Sequence, residues 1–197
     1  MSASSKTIGL IFIDRFADWE YGLLAASAVE WFGAKVIALT PNARPVASSA
    51  GLSLAAARGI DQEGNRDLDA LAVIGSDRWV DGSAPDAAGL LVSVASRGGV
   101  IGGICAGTVP LAKAGLFADV AHTSNGPDWI REAVPGYAGA ANYRDVPHAI
   151  ADGNVVSAPG SAPGTFAHLF LRTLFPERRA QLDGMRAMFG KEYAEPQ

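Results

Sequence analysis

The stretch VIGGICAGT, residues 100–108, holds the only cysteine of a 197-residue chain and sets it where an apolar run meets a cluster of small residues. Gly103-Ile104-Cys105-Ala106-Gly107 reads G-x-C-x-G. It stands at the end of a buried-type strand and just before a helical segment at 110–113. That is the setting of a nucleophile elbow with sulphur in place of a hydroxyl. The turn forces its central residue into a strained backbone conformation, and strand and helix pass so closely there that bulky neighbours are excluded. Small residues at 103, 106 and 107 meet that need. The adjoining helix N-terminus carries free N–H groups and partial positive charge, which favours thiolate over thiol. The competing reading is a buried, inert cysteine acting as a small hydrophobe.

Working outward from the elbow, residues 7–13 (TIGLIFI), 34–40 (AKVIALT), 71–74 (LAVI) and 99–104 (GVIGGI) are apolar runs of buried-strand type. The segment between the first two has helical spacing, with Asp18 as the expected N-cap of a helix over 19–32 that ends at Gly33. Leu90, Leu91, Val94 and Ala95 share one helical face between the third and fourth. This alternation predicts an α/β three-layer sandwich with a mostly parallel central sheet. Residues 45–57 read as a small hairpin turning near Gly51, and Asp152-Gly153-Asn154 as a second hairpin turn. Pro163 opens a last helical stretch through Leu171, and Pro176 separates it from a polar tail helix. The chain reads as a single domain over 1–197, with a core at about 6–175 and a C-terminal helical tail at 176–197.

Hydrophobic residues make up 49% of the chain and charged residues 18%, too apolar a mixture for a disordered chain. No apolar run is long enough to cross a bilayer, and residues 1–6 lack the basic start and apolar stretch of a secretory signal. A lone cysteine suits a reducing compartment, so a cytoplasmic location is expected. The net charge of −4, with no basic block, gives no electrostatic support for binding nucleic acid or an anionic membrane surface.

VIGGICAGT resembles the elbow of the PfpI/DJ superfamily. FADWE (16–20), IGSDRW (74–79), HTSN (122–125) and DGNVVSAPG (152–160) are similar to other parts of that family, so the resemblance spans nearly the whole chain. It implies a class I glutamine amidotransferase-like, flavodoxin-like fold and a homodimer. It also implies an acid from the start of the first helix against the sulphur, and Glu20 matches that position better than Asp18. A carboxyl buried beside a thiolate is expected to stay protonated and donate to sulphur. The other reading of Glu20 is a first-turn acid favoured by the helix dipole. Backbone donors are expected from Ala106 and from the Gly75-Ser76 turn. Trp79 and Trp19 are candidate pocket walls, unless they are ordinary packing.

The sequence also departs from its relatives. The protease-like branch carries histidine directly after the cysteine, where this chain has Ala106. Other members carry a histidine after a threonine pair on a following strand, where this chain has Asn125. His122 lies three residues earlier, an odd offset that turns a strand side chain to the opposite face. It is the candidate catalytic histidine only if the strand is bulged or ends there, and otherwise an ordinary strand-end residue. Isonitrile hydratase members carry a hydroxyl residue after the cysteine; Thr108, two positions on, supplies either that hydroxyl or a helix-start cap. A glutaminase dyad is missing from residues 157–161. Two functions follow: an enzyme in which Cys105 attacks a small electrophile, without metal or cofactor, or a redox-responsive protein whose Cys105 is oxidised to sulfenic or sulfinic acid. The expected partner is a small-molecule substrate or oxidant.

Overall fold

The computed structural model of the chain describes residues 5–191. The leaderless start read at residues 1–4 and the end of the tail at 192–197 lie outside the described residues. The elements run β1 (Thr7–Ile11), α1 (Gly22–Glu30), β2 (Lys35–Leu39), β3 (Val46–Ala47), β4 (Ser53–Leu54), β5 (Ala70–Val73) and α2 (Ala88–Ser96). There follow β6 (Val100–Ile104), α3 (Thr108–Lys113), α4 (Pro127–Ala133), β7 (Ile150–Asp152), β8 (Val155–Ala158), α5 (Pro163–Leu174) and α6 (Arg179–Gly190). The main sheet has the order β2-β1-β5-β6-β8-β7, parallel throughout except that β7 runs antiparallel to β8. β3 and β4 form a separate antiparallel pair that turns through Gly51.

The central strands look like unbroken apolar runs because helices cover both their faces. Their side chains alternate between two cores. Ile8, Leu10, Ala70, Ala72 and Val156 face α1 and α5. Ile11, Leu71, Val73 and Ile101 face α2, α3 and α4. On the α5 side the strands present small groups so that two rings can lie flat against them. A Cβ on Gly102 would sit 2.7 Å from Phe170 and 2.9 Å from Phe166. Both rings are completely buried, so Gly102 is the socket for the heaviest side chains of that helix.

The first helix departs from its sequence expectation. It begins at Gly22 rather than 19, and Tyr21 occupies its N-cap position without a side-chain cap. Asp18 does not cap it. Its Oδ2 accepts from Ser49 Oγ at 2.9 Å and from the Ala50 N–H at 3.0 Å, so the carboxylate pins the β3–β4 hairpin to the loop after β1. That loop is held from inside by edge-to-face contacts among Phe12, Phe16 and Tyr21, with ring centroids 4.9–5.8 Å apart.

At the elbow the sharp turn falls on Cys105 itself, which has φ 57°, in the left-handed region. The neighbouring Gly107 has an ordinary helical backbone. Glycine is needed there because a Cβ would drive into the Val73 carbonyl. Since the obstacle is main chain, it cannot rotate away. We expect Gly107→Ala to lower unfolding stability by about 1–3 kcal/mol or more in urea titrations; an unchanged midpoint would show that β5 and the elbow can separate without cost.

Candidate active site around Cys105

Four strand ends converge on the sulphur. Cys105 follows β6, Gly75 follows β5, Glu20 lies in the loop after β1, and Gly160 follows β8. This is the carboxyl edge of a parallel sheet, where open α/β folds build their sites. Glu20 is carried there by the Phe12–Phe16–Tyr21 cluster and by the Ala17 N–H, which donates to Gly75 O at 2.9 Å. Its side chain is 1% exposed. Oε2 accepts the Gly75 N–H at 2.7 Å. Oε1 is buried without a hydrogen-bond partner and faces the Cys105 side chain. Neither Gly75 nor Gly160 has room for a side chain: a Cβ at 75 would lie 2.7 Å from Cys105 Cβ, and one at 160 would lie 2.8 Å from Sγ.

Asn125 also reaches the sulphur. Its Nδ2 donates to Cys105 Sγ at 3.2 Å, and its Oδ1 accepts the Gly160 N–H at 3.0 Å, which fixes the orientation of the carboxamide. The segment that carries it is stitched in place from both sides. Thr123 N–H donates to Ser157 Oγ at 2.9 Å, and Ser124 Oγ lies 2.7 Å from Thr108 Oγ1. The Ala106 N–H is the second donor to the sulphur. Trp19 stands at the rim and donates through Nε1 to Gly160 O at 3.0 Å. Gly160 is the residue that sequence reasoning missed: it touches Sγ, orients Asn125 and anchors Trp19. The signal was available in its position after the last parallel strand.

Other expected members lie elsewhere. His122 is fully buried and stacks on Phe117 with centroids 4.1 Å apart. Its Nδ1 lies 3.0 Å from Val120 O, so Nδ1 carries the proton, and Nε2 accepts from Tyr137 Oη at 3.1 Å. Burial holds its pKa below the usual value and keeps it neutral. The ring is a packed strand-end residue with both nitrogens bonded elsewhere, so it is not the catalytic histidine the sequence offered as a candidate. Trp79 is likewise buried, in the core on the α2 and α3 side of the sheet, with Nε1 donating to Ile74 O at 2.9 Å. Ser76 spends its hydroxyl on Asp14 O and on the Arg78 N–H. Glu20 already occupies the Gly75 N–H, so that amide is not free as an oxyanion donor. Thr108 Oγ1 donates to Cys105 O at 2.7 Å and not to the sulphur. Among the described residues, no group of three or more His, Cys, Asp or Glu side chains is gathered to hold a metal ion, and no helix is long and apolar enough to cross a membrane.

Residues 6–173 match the DJ-1/PfpI family. The chain belongs to that family. It is 38% identical to the DJ-1 superfamily protein Atu0886 from Agrobacterium tumefaciens, with a TM-score of 0.83 over 93% of this chain and 99% of that one. It is similar to the "Uncharacterized protease YoaZ" of Bacillus subtilis (strain 168), 28% identical over 86% of this chain and 84% of the relative. It shares the fold of DJ-1beta from Drosophila melanogaster, at 24% identity and a TM-score of 0.73, covering 97% of this chain and 100% of the other.

In this DJ-1/PfpI member burial raises the pKa of both acids at the site. Burial pushes the Glu20 carboxyl up to about 7, against the partial relief of the Gly75 N–H and the thiol. Burial, and then the adjacent Glu20 charge, pushes the Cys105 thiol up to about 11, although Asn125 and Ala106 N–H groups oppose the rise. The two acids therefore oppose each other's ionisation, and the pair carries at most one negative charge at neutral pH.

Two outcomes follow. Replacing Glu20 by Gln removes the charge that opposes the thiolate, so iodoacetamide alkylation of Cys105 shifts to lower pH, whereas Asn125→Ala removes a donor and shifts it higher. Shifts of the opposite sign would contradict these couplings. The Glu20 pKa is raised from 4.5 in the unfolded chain to about 7 in the fold, so the folded state holds the extra proton and stability falls as pH rises through that window. Wild type should lose up to about 3 kcal/mol relative to Glu20→Gln between about pH 5 and about pH 8 in urea unfolding.

Proposed function

We propose that the protein is a cysteine-dependent enzyme acting on a small electrophile, as a hydrolase, hydratase or glyoxalase-like lyase. Cys105 is the nucleophile, and Glu20 takes and returns its proton. The observation that carries this reading is the apposition of a half-buried thiol and an unpartnered, buried carboxyl oxygen, with the Asn125 and Ala106 N–H donors on the same sulphur. A buried carboxyl with a pKa near neutrality is tuned for proton transfer.

In the step we envisage, the Sγ–H bond breaks as an Sγ–C bond forms to the electrophile. The proton passes to Glu20 Oε1, and the displaced electron pair moves to the substrate heteroatom, where the Ala106 N–H and the Asn125 carboxamide can donate. Protonated Glu20 then returns the proton to the adduct. Asn125 donates but cannot carry a proton, so among the described residues Glu20 is the proton carrier in contact with the sulphur. None of the three histidines is hydrogen-bonded to Cys105, and Ala106 follows it, which favours a small electrophile over a peptide bond even though the Bacillus relative is named a protease. A homodimer and a cytoplasmic location belong to the same proposal.

The alternative is redox sensing. It is favoured by the donors that ring the sulphur, which would hold sulfinate oxygens, and disfavoured by the raised thiol pKa, because thiolate is the form that peroxide attacks. Assays against isonitriles, methylglyoxal and p-nitrophenyl esters separate the two. The enzyme reading expects turnover that rises with pH through about 7 and falls by about 10²–10⁴ in Glu20→Gln, although that variant alkylates at lower pH. Absence of turnover in wild type, with stepwise oxidation of Cys105 by mild peroxide in mass spectra, would replace it with the redox reading.

A further inference from the structure

A groove of about 480 Å3 opens between α5 and α6, away from Cys105 and lined by none of the residues that touch the sulphur. Its volume is that of a small-molecule site. Helical periodicity builds its walls: Thr165, His168, Leu169 and Arg172 share one side of α5, and Met185, Arg186 and Phe189 share the facing side of α6. Leu23 from α1 closes the floor. The lining is therefore divided. Leu23, Leu169, Met185 and Phe189 supply the apolar bed, whereas Arg172 and Arg186 are exposed and His168 is half-buried.

Both arginines line the same groove, one from each helix, and both bear on His168: burial first, and then these cations, hold its pKa down, against Asp183. Among the described residues, neither arginine is held in an ion pair. A concentrated cationic rim on a protein of net charge −4 is a local feature with its own complement. That complement is an acidic group.

We propose that the groove binds a small amphiphilic anion, with its acidic head held by Arg172 and Arg186 and its hydrocarbon body laid on Leu169, Met185 and Phe189. Bidentate guanidinium contacts suit a carboxylate, and the bed suits an alkyl or aryl chain of modest length.

Calorimetric titration of the full chain with sodium octanoate and, separately, with octan-1-ol tests this. Octanoate is expected to bind one-to-one, and octanol on the order of tenfold more weakly or less. Arg172→Gln/Arg186→Gln should weaken octanoate by a similar factor without lowering the thermal unfolding midpoint, and Cys105→Ala should leave binding unchanged. Equal binding of acid and alcohol, no binding of octanoate, or loss of binding in Cys105→Ala would overturn the proposal. So would sedimentation showing that Phe189→Glu separates a dimer into monomers, since the groove would then be a contact between copies.

Discussion

The site is organised by one constraint: a carboxyl and a thiol are buried against each other with too few partners to satisfy both. Glu20 has a single N–H donor on one oxygen and none on the other. Each acid raises the cost of ionising its neighbour, and the low-polarity surroundings raise both. The fold holds them together through main chain. Gly75 and Gly160 press on the pair from two sides, and a side chain at either position would occupy the space where sulphur and carboxyl meet.

Maintaining that apposition requires a rigid frame, and the frame is a packing arrangement. The left-handed turn at Cys105 is locked by the contact of Gly107 with the Val73 carbonyl, and β6 is held from the other side by Phe166 and Phe170 over Gly102. Asp18 ties the β3–β4 hairpin to the loop that carries Glu20. The buried network from Thr108 through Ser124 holds Asn125, whose amide is then fixed by Gly160. A strained residue persists where its surroundings leave no alternative, and each of these contacts removes one.

Much of the frame was legible in the sequence because it rests on local pattern. Strands buried on both faces read as β-branched runs, Gly51 and Gly153 mark turns that demand positive φ, and G-x-C-x-G at a strand end marks the elbow. Errors arose where a distant contact decided the outcome. Asp18 looked like a cap until the β3–β4 hairpin claimed its carboxylate. His122 and Trp79 looked available until Tyr137, Phe117 and the Ile74 carbonyl enclosed them. The raised thiol pKa was hidden for the same reason, since it comes from burial in the folded core and then from the charge of a residue 85 positions away in the chain. Asn125 was legible only as a missing histidine, whereas in the fold it is a donor to sulphur.

The most direct test of this account is infrared difference spectroscopy across neutral pH, following the protonated-carboxyl stretch of Glu20 and the S–H stretch of Cys105, with Glu20→Gln and Cys105→Ser to assign the bands. The account predicts that the carboxyl band disappears with a midpoint near 7 while the S–H band persists well above it. Loss of the S–H band first, with the carboxyl still protonated, would contradict it and place the resting charge on sulphur.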